Sequence, residues 1–219
     1  GDMDIVAGNF GLNSQFKTNS SEPLRLYFGD FDENSSTDPI LVSYLQGKPY
    51  PFPSRDELLD QVYGFRSKFT DYESYSNATI AEVLTKDQLA NASKLEATEL
   101  RSMYFENQTE RLIPHQLPIE AQFAPIHAIH AFDHDRDGNM DLLLAGNQTY
   151  TRLRLGMMDA NFGQLFRGDG KGNFRYINQK VSGLSILGDV KSILQLPSQP
   201  TLLYFGINNR GIVTYQMID

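Results

Sequence analysis

Oxygen-bearing side chains recur at one fixed spacing in two places. Asp133, Asp135, Asp137 and Asp141 in "DHDRDGNMD", and Asp30, Asp32, Asn34 and Asp38 in "DFDENSSTD", fill positions 1, 3, 5 and 9 of a nine-residue loop. Calcium takes about six to eight oxygen ligands, and a tight loop can wrap it with Asp or Asn at 1, 3 and 5, a carbonyl at 7 and a late carboxylate. The carbonyls at position 7 belong to Asn139 and Ser36. Position 6 must turn sharply, which Gly138 permits and Ser35 resists, so the Asp133 loop is expected to be the better site. Position 12, where an EF-hand carries its closing glutamate, is Leu144 or Leu41. These are therefore not EF-hands, and each loop should open into a strand. The competing reading is an acidic turn without an ion, since Asp and Asn form turns readily. A matched second copy argues against it, as does the mutual repulsion of four carboxylates in one turn. Catalysis by paired carboxylates needs acids flanking a cleft, whereas these converge on a point, so no catalytic residue is assigned.

The elements that position these loops follow from the repeat. "PILVSYL" follows Asp38 and "LLLAGN" follows Asp141, both short apolar runs bounded by turn formers, which predicts strands packed on both faces. "GDMDIVAGN" supplies the tail of a third copy, with Asp4 in place of Asp38 and Asp141, and "TLLYFGINN" at 201–209 is a fourth strand that has lost its acids. Further strands are expected in "LRLYFG", "ATELRSMYFEN", "APIHAIHAF", "GQLFRGDGKGNFRYI" and "GIVTYQM", with turns at "ENQTE", "GDGKGN" and "NNRG". Asp38 and Asp141 stand 103 positions apart, against 60 between Asp141 and Thr201, so the second unit carries an excess. It lies at residues 54–93: Leu58, Val62, Phe65, Phe69 and Tyr72 follow helical spacing behind a Ser54/Glu57 capping box, and Thr85/Gln88 opens a shorter helix. The expected fold class is all-β with a helical insertion, in which the repeat favours a β-propeller or solenoid over a sandwich: a partial propeller of about four blade-like repeats, forming one segment over residues 1–219.

Composition narrows the partners. The formal charge of −8 offers no basic surface to nucleic acid or anionic membrane and favours cations. No run reaches the eighteen or so apolar residues of a membrane span. The absence of cysteine removes disulfides, thiolate catalysis and zinc–thiolate sites. His127 and His130 lie three apart in a strand and face opposite ways, so they are not expected to chelate together with His134. Arg167-Gly168-Asp169 spells a known adhesion tripeptide but enters a hairpin turn. Sequons stand at Asn19, Asn34, Asn77, Asn91, Asn107 and Asn147, which matter only in a eukaryotic secretory path. Gly1 has the look of a residue left by tag removal, and the chain of a piece cut from a longer polypeptide.

"DHDRDGNMDLLLAGN", "DFDENSSTDPILVSY", "GDMDIVAGNFGLN" and the glycine-rich "NFGQLFRGDGKGNFRYI" together resemble the FG-GAP/VCBS-repeat family, the calcium-loop propellers also seen in integrin α-subunit heads. The resemblance touches most of the chain outside 54–93. It implies blades of about four antiparallel strands, with calcium held by Asp133, Asp135, Asp137, the Asn139 carbonyl and Asp141, and by Asp30, Asp32, Asn34, the Ser36 carbonyl and Asp38. It implies export to a cell surface or the extracellular space, commonly of a bacterium, and a role in adhesion or ligand presentation. Four repeats are too few for a ring of about seven blades, so the chain is expected to join the remaining blades of a parent protein. The expected function is a non-enzymatic binding, adhesion or scaffold module for a protein or carbohydrate ligand. The alternative is part of a carbohydrate-active enzyme on the same scaffold, of the polysaccharide-lyase kind.

Overall fold

A computed structural model describes residues 3–217. Gly1 and Asp2, which open "GDMDIVAGN", lie outside the described residues. Strands follow in the order β1 (Ile5–Ala7), β2 (Leu24–Gly29), β3 (Asp38–Leu45), β4 (Lys48–Pro51), β5 (Ser93–Ala97), β6 (Met103–Asn107) and β7 (Leu112–Gln116). Then come β8 (Ile126–Phe132), β9 (Asp141–Gly146), β10 (Gln164–Gly168), β11 (Phe174–Ile177), β12 (Val190–Leu196), β13 (Gln199–Ile207) and β14 (Gly211–Gln216). They pair antiparallel into four sheets, β1-β6-β7, β4-β3-β2-β5, β8-β9-β10-β11 and β12-β13-β14, none of which closes into a barrel. Each repeated apolar run, β1, β3, β9 and β13, falls in a different sheet. The protein is therefore mostly antiparallel β, with few helices, and among the described residues no helix is long and apolar enough to cross a membrane.

The chain forms two compact units. Residues Phe16–Glu99 make one, and Gly1–Gln15 with Leu100–Asp219 make the other. In the larger unit β9 explains its own sequence: all six of its residues are buried. Leu142 and Leu144 join a core with Ile126, Phe166 and Tyr104, while Leu143 and Ala145 join a second core with Val190, Leu203 and Phe205. The two-residue period of a strand sends alternate side chains to opposite faces, and here both faces are covered by apolar groups. The glycines that follow β1 and end β9 are sterically required. A Cβ on Gly146 would sit 1.8 Å from the Pro125 carbonyl oxygen, and one on Gly8 would sit 2.5 Å from that of Ile126.

In the smaller unit β3 buries only alternate residues, Asp38, Ile40 and Val42, the last two in a core shared with helices. These are α1 (Arg55–Gln61), a 3₁₀ turn at Tyr63–Ser67, α2 (Tyr72–Ser76), α3 (Ile80–Val83) and α4 (Lys86–Asn91). Ser54 and Glu57 cap α1 reciprocally and Thr85 and Gln88 cap α4, as their spacing implies. Thr79 and Glu82 form a third such box. The single long helix expected from Leu58 to Tyr72 is instead broken. Val62 leaves the helical region at φ −121°, ψ 94°, and Gly64 follows it. Leu58, Val62, Phe65 and Phe69 still reach one core, but Tyr72 is 65 % exposed and its hydroxyl donates to Asp56.

Candidate metal centre

The two acidic loops fold alike, residue for residue. Asp30 Oδ1 accepts the backbone N–H of Asn34 at 3.0 Å, and Asp133 Oδ1 accepts that of Asp137 at 3.1 Å. Their Oδ2 atoms accept from position 6, Ser35 N–H at 2.8 Å and Gly138 N–H at 3.0 Å. At position 5, Oδ1 of Asn34 and of Asp137 accepts the N–H of position 7, Ser36 at 2.7 Å and Asn139 at 2.8 Å. Position 9 reaches back to position 2: Asp38 Oδ2 accepts from Phe31 N–H at 3.0 Å, and Asp141 Oδ2 from His134 N–H at 2.8 Å. Positive φ falls at positions 4 and 6 in both, at Glu33 (59°) and Ser35 (66°) and at Arg136 (61°) and Gly138 (88°). Ser35 thus adopts a left-handed conformation that a side chain disfavours and that Gly138 adopts freely.

This scaffold gathers charge. Ligand oxygens of Asp30, Asp32 and Asp38 lie within 4.8 Å of one another, as do those of Asp133, Asp135 and Asp141, so each cluster could hold a metal ion. The ninth-position acids are buried, Asp38 at 2 % exposure and Asp141 at 0 %, while positions 1 and 3 are half-buried or exposed. Burial pushes the Asp38 carboxyl above its ordinary value, and the neighbouring Asp32 and Asp30 push the same way. The donor set suits a hard oxygen-seeking cation. At the first loop, Oδ1 of Asp32 is buried with no hydrogen-bond partner, a cost that a cation ligand would remove.

The side chains of Asp137 and Asn139 have partners of their own. Asp137 does not join the converging carboxylates: its Oδ2 pairs with Arg167 at 2.8 Å, and Oδ2 of Asp135 meets the same guanidinium at 2.8 Å. Arg167 holds the Asp137 carboxyl below its ordinary value, with the Asn139 N–H assisting. The Asn139 side chain lies against the β10–β11 turn, where a Cβ on Gly170 would come 2.3 Å from its Oδ1. Arg167 was visible in the sequence only as the start of the Arg-Gly-Asp tripeptide. Strand pairing brings it to the loop, because it follows Phe166, the partner of Leu142 at the head of β9. The tripeptide is thereby occupied: Gly168 is buried and its N–H donates to Asp141 Oδ1 at 2.8 Å.

The third copy keeps one bond of the set. Asp4 Oδ1 accepts the N–H of Asn107 at the end of β6, as Asp141 accepts that of Gly168 at the end of β10, and Asp4 Oδ2 accepts the Tyr104 hydroxyl. Among the other sequence candidates, His130 stacks on Phe132 and bonds Gln195, while His127 is exposed at an irregularity in the β8–β9 register. Asn147 is 1 % exposed, and its amide donates to the Asn161 and Gly188 carbonyls, so that sequon is closed to modification. Beside the Asp133 loop a depression of about 700 Å³ is lined by Phe132, Asp133, His134, Asp135, Gln195 and Met217, among others.

No protein-family model, curated protein or solved structure matches the chain.

Proposed function

We propose that the protein is a calcium-binding β-propeller segment of the FG-GAP/VCBS kind, serving as a non-enzymatic binding, adhesion or scaffold module of an exported, cell-surface or extracellular protein. One observation carries this reading. Two loops of unrelated detail share the same hydrogen-bond scaffold and the same two positive-φ positions, each gathering three carboxylates at the head of a strand. Asp30, Asp32, Asn34 and Asp38 with the Ser36 carbonyl, and Asp133, Asp135, Asp137 and Asp141 with the Asn139 carbonyl, are the ligand set. Calcium, when bound, supplies the positive charge that offsets this clustered negative charge and so stiffens the loops. The residues themselves orient the oxygens through backbone N–H bonds and couple them to β3 and β9. Ion binding to the native state alone stabilises it by about 2.7 kcal/mol at a hundredfold excess over the dissociation constant. The propeller assignment follows the repeat: four equivalent strands lie one to a sheet, in sheets of three or four antiparallel strands. The missing blades and a protein or carbohydrate ligand are the partners this reading requires.

Calcium titration monitored by thermal melting tests it. Calcium at millimolar concentration is expected to raise the melting temperature and chelator to return it to the apo value. An unchanged melting temperature, with no heat of binding by calorimetry, would refute the reading. A lyase-like enzyme is the second reading, favoured by the depression at the Asp133 loop, since Asp133 and Asp135 line it and an ion there would face a bound sugar acid. Release of unsaturated product from uronate polymers in the presence of calcium would select it.

A further inference from the structure

The two loops differ at one place that bears on how they hold an ion. Position 5 is neutral Asn34 in the first and charged Asp137 in the second. Among the described residues no ion pair reaches Asp30, Asp32 or Asp38, whereas the Arg167 guanidinium bridges Asp135 and Asp137 through Nε and Nη2, each at 2.8 Å. Counting side chains at positions 1, 3, 5 and 9, the first loop carries three negative charges; the second carries four, against the one positive charge of Arg167. At these four positions, with Arg167 included, the two sums are equal, while position 4 adds a negative charge to the first loop (Glu33) and a positive one to the second (Arg136).

We propose that Arg167 is a built-in counter-cation of the Asp133 loop, which sets its affinity for a divalent ion by offsetting the fourth carboxylate and holding the outer oxygens of Asp135 and Asp137. This rests on the calcium reading above. Glycine at position 6 then does not by itself make the second loop the stronger site, because an ion entering it meets a resident positive charge. Arg167 is a positioning residue here: it need not touch the ion, and it acts through the two aspartates. In the absence of an ion it relieves the repulsion among them, so its removal should act in opposite directions on the two states.

Calcium titration by calorimetry in a D32N background, which leaves the Asp133 loop as the measured site, tests this, with melting recorded in chelator alongside. R167Q is expected to tighten calcium binding on the order of tenfold, the scale of one unit of net charge at such a site, and to lower the melting temperature in chelator. R167K, which keeps the charge, should stay within about threefold of the parent. D137N should weaken binding, and D137N/R167Q, which copies the charge count of the first loop, should return close to the parent. Equal or weaker binding in R167Q, or equal or tighter binding in D137N, overturns the role of Arg167 while leaving the calcium reading intact. Absence of calcium binding in the parent and in every variant overturns both.

Discussion

Asp141→Asn should weaken the fold even when no calcium is present. Asp141 is fully buried, and its two oxygens each accept a backbone N–H at 2.8 Å, one from His134 inside the loop and one from Gly168 on β10. Asparagine has one acceptor oxygen, so whichever way the amide turns, its NH₂ group confronts a backbone donor. A hydrogen bond to a charged group contributes about 1.5–3 kcal/mol, and a buried donor left unpaired costs about 1–3 kcal/mol more. The two overlap, which gives an expected loss of about 3–5 kcal/mol. At about 2–4 °C per kcal/mol for a chain of this size, the melting temperature should fall by at least about 6 °C. The chain contains no tryptophan, so circular dichroism or a hydrophobic dye is the suitable probe, with excess chelator in every sample. If D141N melts within about 2 °C of the parent under those conditions, the two backbone bonds do not hold the loop to β9 and β10. Asp141 would then matter as an ion ligand alone.

Two further outcomes follow from the loop and its remnant. Ser35→Gly relieves a left-handed backbone cost of about 1–2 kcal/mol against an unfolded-chain entropy penalty of about 0.5–1 kcal/mol, so a net gain of about 0.5–1 kcal/mol is expected by urea denaturation. Gly138→Ser should cost about 0.5–1 kcal/mol by the same two terms taken in reverse, since a Cβ there meets no atom within 4 Å, and no change in either variant would contradict the strain argument. The Asp4 carboxyl is held below its ordinary 3.8 by the Asn107 N–H and then by the Tyr104 hydroxyl. A depressed folded value means that its contribution is full above about pH 4 and is lost as pH falls through the folded value. The gap in urea midpoint between the parent and D4N should therefore close on acidification below pH 3.8, and a gap that widens instead would reverse the assignment.

Much of the site was legible because its signals are local. Loop spacing, the glycine at position 6 and the apolar run after position 9 all lie within one short stretch, and each has a counterpart in the structure. The strands that escaped notice are edge strands. β4 contains Pro49 and Pro51, β7 contains Pro114, β5 is exposed at four of its five residues with Lys94 and Glu96 among them, and β12, an outer strand of its sheet, carries Lys191 and is exposed at three of its seven residues. Proline and charge are what protect an open edge, and they erase the apolar alternation by which strands are recognised. The expected helix kept its apolar spacing across a break because the core constrains which side chains are buried, not whether the backbone between them stays helical; Tyr72, past the break, turned outward to stack on Arg55. Arg167 could not be assigned from spacing at all, since only the β9–β10 register brings it to the loop.

The sheet containing β1 has a consequence for how the chain is made. β1 pairs with β6, yet the whole of Phe16–Glu99 is synthesised between them. That stretch leaves the ribosome contiguous and with its own core, so it can fold while β1 still waits for a partner. Closing the longer interval, from Ala7 to Met103 rather than the span from Gly146 to Gln164 that joins β9 to β10, costs only about 1.5 kcal/mol more as a flexible loop, and less once the intervening unit has condensed. The Gly11 N–H meets the Leu100 carbonyl at 2.7 Å, so the host unit itself brings together the points of departure and return. The smaller unit is in this sense a contiguous segment that leaves the chain of the larger unit and returns to it at nearly the same place.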